Sequence, residues 1–214
     1  LDGKLVGVNS AIYSKGGGSV GIGFAIPANM VRSVLSGITT TGRIVRPWIG
    51  AEGQTVTSDI AVSMGLRRPA GILINAIFPN GPADRTGIRV GDIITTINGR
   101  EVNDLEALKF RIATRSIGDQ VTIDLLQRGK KRRVKFPIEA PPRIPAPNRT
   151  SVSGVHPIQG TIVANLSPAL ADELGLSLLK LGVVVLETLP GSAANRFNFQ
   201  RGDIIREING ENIT

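Results

Sequence analysis

The chain has 214 residues, 41% of them apolar and only 4% aromatic, with no cysteine and a formal net charge of +8. The absence of cysteine excludes disulfides, thiolate nucleophiles and zinc–thiolate sites, and no run approaches the roughly 18–20 apolar residues of a membrane-spanning helix. The length fits one large domain or two small ones, with cores that must rest on Val, Ile, Leu and Ala.

The first stretch, LDGKLVGVNSAIYS, opens on Asp2-Gly3, a hairpin turn signal that feeds a strand over Leu5 to Ala11. A hairpin needs an earlier strand, so residues 1 to about 40 are expected to be the tail of a larger domain. No basic-then-apolar leader opens the sequence. Next comes GGGSVGIGFAIP, Gly16 to Pro27. Glycines that let backbone N–H groups approach a phosphate are one reading. Gly21-x-Gly23 runs into Phe24-Ala25-Ile26-Pro27 without a third glycine, and no Gly-Lys-Ser/Thr follows, so a nucleotide loop is not supported. A glycine turn into a small apolar strand remains. After Pro27, Ala28 to Leu35 reads as a helix through Met30, Val31, Val34 and Leu35.

An internal repeat organises the rest. GILINAIFPNGPADRTGIRVGDIITTINGREV, from Gly71, aligns with GVVVLETLPGSAANRFNFQRGDIIREINGENI, from Gly182, at an offset of about 111 residues and with roughly a third of positions identical. Such an offset is domain-sized, so the chain holds two copies of one module. In the first copy, Ile72 to Phe78 is an apolar strand, Pro82 to Thr86 a short helix stopped near Gly87, and Asp92 to Ile97 a strand ending at the Asn98-Gly99 turn. Asn103 or Asp104 can cap a helix over Leu105 to Thr114 with Leu105, Leu108 and Ile112 on one face. Val121, Ile123 and Leu125, then Val134, Phe136 and Ile138, alternate as two closing strands. Pro141 to Gly154, PPRIPAPNRTSVSG, reads as an interdomain linker. The second copy stops at Thr214, before the position of its helix and last two strands, and is expected to be truncated.

Asp92 and Asp203 occupy equivalent turns of the two copies, which points to turn capping and not to a carboxylate pair. Arg128, Lys130, Lys131, Arg132, Arg133 and Lys135 cluster at a strand–turn–strand pattern; a solvated hairpin explains them, and no aromatics interleave them as a single-strand nucleic-acid platform requires. The one histidine, His156, falls in the linker, so a Ser–His–Asp constellation has no candidate base near a serine nucleophile.

LDGKLVGVNSAIYSKGGGSVGIGFAIPANMV, the Arg46-Pro47-Trp48-Ile49-Gly50 junction and the paired GDII…ING modules together resemble the HtrA/Deg family of serine proteases, in its periplasmic two-PDZ form. The resemblance covers essentially the whole chain. It implies a mainly β, α+β chain: residues 1–44 as the last strands of a trypsin-like β-barrel with a linking helix, 45–140 as one complete PDZ module, 141–157 as a Pro-rich linker and 158–214 as a truncated PDZ module. The family's catalytic His, Asp and Ser would all lie upstream of Leu1, so no catalytic residue, metal or cofactor is expected in this chain, which should be inert alone. Ile12 and Ile22 would be left from the walls of the protease S1 pocket.

PDZ modules take a peptide as an added strand and hold its carboxylate in a nest of N–H groups. By that resemblance Trp48-Ile49-Gly50-Ala51 is the carboxylate loop, Glu52 to Val56 the edge strand, and Leu105, Leu108 and Ile112 the helix side of the groove. In the second module Val163-Ala164-Asn165-Leu166 is aligned with the loop, departs from the apolar-Gly-apolar pattern, and is expected to bind no peptide independently. The resemblance implies substrate recognition for periplasmic protein quality control, with unfolded or misfolded chains and apolar C-termini as partners and self-association through the protease portion. A stand-alone PDZ scaffold is the alternative; a basic nucleic-acid or membrane-surface binder is a weaker one, and no nucleic acid is expected.

Overall fold

The structure is a computed structural model that describes residues 3–12, 21–41, 45–177 and 179–213. It is mainly β-sheet with short helices and divides into two compact units, Leu1–Ala140 and Pro141–Thr214.

The first unit begins with a ribbon of β1 (Gly7–Ile12) and β2 (Gly23–Pro27), followed by α1 (Ala28–Thr41). The expected glycine turn at Gly16 to Gly18 falls outside the described residues. Apolar periodicity marks α1 only as far as Leu35, yet the helix continues to Thr41, since no proline interrupts it. Then come β3 (Ala51–Thr55), α2 (Ser58–Ser63), β4 (Ile72–Ile77), α3 (Pro82–Arg85), β5 (Ile93–Ile97), β6 (Arg100–Glu101), α4 (Leu105–Ala113), β7 (Gln120–Gln127) and β8 (Lys130–Pro137). Their sheet runs β3-β4-β5-β7-β8, antiparallel throughout, with β6 paired to β5.

Both faces of this sheet are covered, which is why neighbouring residues of one strand can both be buried. On one face Ile72, Ile74, Ile94, Ile97, Ile123, Leu125 and Phe136 pack with Leu108 and Ile112 of α4. On the other, Ile93 packs with Val56 and Ala61 at α2. The basic cluster lies where β7 turns into β8 through Arg128 and Gly129, both at positive φ. Arg132 donates to the Thr86 and Gly87 carbonyls at 2.9 and 2.7 Å, which ties the hairpin to the end of α3, and Arg133 forks onto Asp124 within the hairpin.

The second unit contains β9 (Thr150–Ser151), β10 (Thr161–Asn165), α5 (Pro168–Leu174), β11 (Val183–Thr188), α6 (Ala193–Arg196), β12 (Ile204–Ile205), β13 (Glu207–Ile208) and β14 (Glu211–Asn212). Its main sheet runs β12-β11-β10-β9, and β13 pairs with β14. The stretch 141–157, expected as a Pro-rich interdomain linker, is laid along this unit. Asn165 donates from N–H to the Pro147 carbonyl at 2.7 Å and from Nδ2 to the Ala146 carbonyl at 3.0 Å; Ala169 N–H donates to Pro142 at 3.1 Å. Proline lacks a donor but keeps its carbonyl, so a Pro-rich segment can still be bonded to its neighbours as an acceptor. Arg143 also pairs with Glu173 at 3.1 Å.

Candidate peptide-binding site

Strand β3 is an edge strand: β4 lies on one side, and among the described residues no strand lies on the other. Phe78 N–H donates to the Gly50 carbonyl at 2.9 Å, and Ala51 pairs with Ile77 in the next position. Antiparallel pairs alternate between bonded and non-bonded positions, so Ala51 turns its own N–H and C=O toward the open edge. The loop before it is held by its carbonyls, since Ala83 N–H donates to Ile49 at 3.0 Å. Among the described hydrogen bonds none uses the N–H of Ile49 or Gly50. Three successive residues therefore offer donors, as an anion nest requires.

Gly50 makes this loop possible. Its φ is +67°, a left-handed conformation that costs an ordinary residue energy, and a Cβ there would stand 3.0 Å from Pro82 Cδ and 3.3 Å from Gly81 Cα. Trp48 sits behind the loop. It is 4% exposed, meets Phe78 edge-to-face at 5.2 Å between centroids, and donates its backbone N–H to Glu139 at 2.9 Å. Its side chain braces the turn from the core.

The facing wall is α4. Asp104 caps it by accepting from Ala107 N–H at 2.7 Å, and Leu105 N–H donates to Thr55 Oγ1 at 3.2 Å, tying the start of the helix to the end of β3. Ile49, Ala51, Ile74, Leu108, Ile123 and Phe136 surround a closed apolar recess between loop, sheet and helix, too tight to hold a water molecule. Leu105 is half-buried beside the core, and Ile112 belongs to the core without lining the recess. Phe136 and Thr55 are parts of the site that sequence reading misses. Phe136 shows only strand alternation, and the Thr55 bond spans fifty residues with no local signal.

Ile12 and Ile22 are 64% and 52% exposed at the open end of the β1–β2 ribbon, with Ile12 opposite Gly23. Phe24 and Leu35 in the same segment are also more than half exposed, at 55% and 54%.

A wider concavity of about 690 Å³ lies elsewhere on the first unit, lined by Arg68, Thr96, Glu101, Asp124 and Arg133 among others. Its two carboxylates are each paired with an arginine. The hydrogen bond from Arg68 holds the Glu101 carboxyl below its usual value, and the hydrogen bond from Arg133 does the same for Asp124 against an opposing effect of burial. Arg67, Lys131 and Arg132 also line it, so the surface keeps a net positive charge beyond these two pairs. Asp92 is buried and accepts from Arg89 N–H and Gln127 Nε2, both at 2.8 Å, while Asp203 accepts from Gln200 N–H at 2.8 Å; both hold turns. His156 Nε2 lies 3.0 Å from the Ser153 carbonyl.

The second unit repeats the loop in a different register from the one expected. Leu189 N–H donates to Gly160 at 2.9 Å and Ala194 N–H to Gln159 at 3.1 Å, the counterparts of the bonds to Gly50 and Ile49. The equivalent loop is thus Ile158-Gln159-Gly160-Thr161, and Val163 to Leu166, expected as the loop, lies on and just beyond β10. Apolar residues alone give the wrong offset; the helix caps, Thr57 on Ile60 N–H and Ser167 on Leu170 N–H, fix the right one.

The PDZ domain family matches residues 47–138. A probable DegP-like periplasmic serine endoprotease of Marinomonas sp. is 33% identical over 214 residues, covering 100% of this chain and 45% of its own length. The periplasmic pH-dependent serine endoprotease DegQ of Escherichia coli is 33% identical over 213 residues, covering 100% and 44%. A solved HtrA-type protease with a decapeptide shares 38% identity over 68% of this chain and 44% of that one, with a TM-score of 0.48. The chain thus spans less than half the length of these relatives.

Proposed function

This chain belongs to the HtrA/Deg family as a PDZ-containing segment, and on that premise we propose that its first unit is the substrate-recognition module of a periplasmic serine endoprotease. The peptide joins the sheet as a strand beside β3. Its terminal carboxylate is held by the N–H groups of Ile49, Gly50 and Ala51, and its last side chain enters the recess beside Leu108. The observation that carries this reading is the combination of an open strand edge with two loop N–H groups that no described hydrogen bond uses. Backbone donors held in place stabilise an anion strongly because no reorganisation is needed when it arrives. The recess is wholly apolar and closed, so a peptide's last side chain enters it only as Leu108 and the loop part, which suits small aliphatic end residues of unfolded or misfolded chains. Leu105 extends the groove along β3; Ile112 supports it from the core.

In the same reading the exposed β1–β2 ribbon docks on the protease portion, where Ile12 and Ile22 contribute to the S1 pocket. A two-stranded ribbon is marginal by itself, and an apolar face of this kind marks a contact surface. Proteolysis in this reading belongs to the protease portion, and His156, with Nε2 3.0 Å from the Ser153 carbonyl, has no part in it.

Trp48 is the only tryptophan and stands directly behind the loop, so its emission reports occupancy. A short peptide ending in Val with a free carboxylate should produce a saturable change, and the C-terminal amide should bind at least about tenfold more weakly, because a charged acceptor strengthens hydrogen bonds to the nest. Equal affinity for acid and amide would reject the carboxylate site.

A further inference from the structure

The edge that stands open in the first unit is filled in the second, and the chain itself fills it. Strand β9 runs antiparallel along β10, with Ser151 opposite Ile162 and Thr150 opposite Val163. Val152 N–H donates to the Thr161 carbonyl at 2.8 Å, and Gly160 N–H donates to the Val152 carbonyl at 2.9 Å. Thr161 and Gly160 are the counterparts of Ala51 and Gly50, the residues whose outward groups no described bond uses in the first unit. At the other end Asn165 N–H donates to Pro147 at 2.7 Å. An aliphatic residue therefore stands at the loop with its carbonyl on the glycine N–H, and the residues before it lie along the strand edge.

We propose that the second unit carries a peptide-binding edge occupied in cis by Pro147–Val152, which acts as an internal ligand with Val152 at the loop. The ligand class this edge accepts is an extended segment ending in a small aliphatic residue preceded by Thr-Ser. An external peptide binds only after displacing 147–152, and displacement frees a segment near the start of the second unit. The tether is short: five residues separate Val152 from Ile158. A short tether sets an effective concentration on the order of 1 mM, so the internal segment excludes peptides supplied at micromolar levels. Val152 is only half-buried and Thr150 and Ser151 are exposed, so the occupant is held mainly through backbone bonds and is not part of the core around Val184 and Leu166.

The proposal takes only the geometry of strand addition from the function assigned to the first unit, and its test separates the two. Amide hydrogen exchange of the full chain compares Gly160 with Gly50, equivalent glycines with and without a bonded N–H. Gly160 is expected to exchange at least about tenfold more slowly. In the variant Thr150→Pro with Val152→Pro, which removes two donors of the segment, Gly160 and Val163 should lose that protection while Val184 and Val185 keep theirs. Peptide Pro-Asn-Arg-Thr-Ser-Val with a free carboxylate should then perturb the amides of Gly160 to Val163 at least about tenfold more tightly than in the unaltered chain. Equal exchange at Gly50 and Gly160 in the unaltered chain would overturn the proposal, as would equal peptide affinity for both chains at the second edge. Failure of the first unit to bind any peptide would refute its assigned function and leave the Gly160 comparison standing.

Discussion

Replacing Gly50 by alanine tests the loop at the point where it depends most on one residue. The structure supplies two costs. A side chain at φ +67° occupies the left-handed region, at about 1 kcal/mol or slightly more. The new Cβ also meets Pro82 Cδ at 3.0 Å and Gly81 Cα at 3.3 Å. These are a ring atom and a backbone atom at the start of α3, so neither can rotate away, and crowding of this kind adds about 1 kcal/mol or more. The sum, about 2–3 kcal/mol, shifts the folding equilibrium by about 30- to 150-fold. Urea unfolding followed through Trp48 should show a midpoint lower by about 1 M, with an unchanged slope. Gly99→Ala is the internal control. Gly99 has φ +73°, but a Cβ there would meet nothing within 4 Å, so only the first cost of about 1 kcal/mol applies. Peptide affinity should fall at least about tenfold in Gly50→Ala and stay unchanged in Gly99→Ala. A Gly50→Ala chain as stable as Gly99→Ala, and binding peptide normally, would refute the reasoning.

Asp104→Ala removes the cap of α4 and should cost about 1 kcal/mol in urea unfolding, with weaker peptide binding because the helix wall loosens. Ile123→Ala empties a fully buried site that also borders the recess, and should cost about 2–5 kcal/mol. Arg133→Ala should move the Asp124 carboxyl up toward its ordinary 3.8, readable by carboxyl NMR titration. The sign follows from linkage: a carboxyl depressed in the folded state contributes stability above its unfolded value and loses it as pH falls through the lower folded one. The stability difference between the native chain and Arg133→Ala should therefore be constant above about pH 5 and shrink below 3.8. A difference that grows on acidification would contradict the pair.

Much of the first unit is legible from residue order because its signals are local. Ile72 to Phe78, Asp92 to Ile97 and Leu105 to Thr114 carry clear periodicity, and the observed strands and helix agree with them to within a residue or two. Helix α2 leaves no such trace: SDIAVS is too short to establish a period, although Thr57 caps it. What escapes reading depends on distance. The Thr55–Leu105 bond joins a strand end to a helix start, and the bonds from Asn165 and Ala169 to Pro147 and Pro142 turn a Pro-rich stretch into part of a sheet unit. Proline content signals a missing donor; it says nothing about where the remaining carbonyls go. The second loop lies five residues before its expected place for a related reason: apolar matching carries no signal for the carbonyls of Gln159 and Gly160, whose bonds fix it.

The most direct test of the central claim is amide shift mapping of the full chain with a Val-terminated peptide as the free acid and as the amide. The account predicts that the acid selectively moves the N–H signals of Ile49, Gly50 and Ala51 downfield, while both forms move residues along β3 and at Leu108. Shifts that are the same for acid and amide at those three residues, or that centre on Arg68 and Arg133, would contradict it.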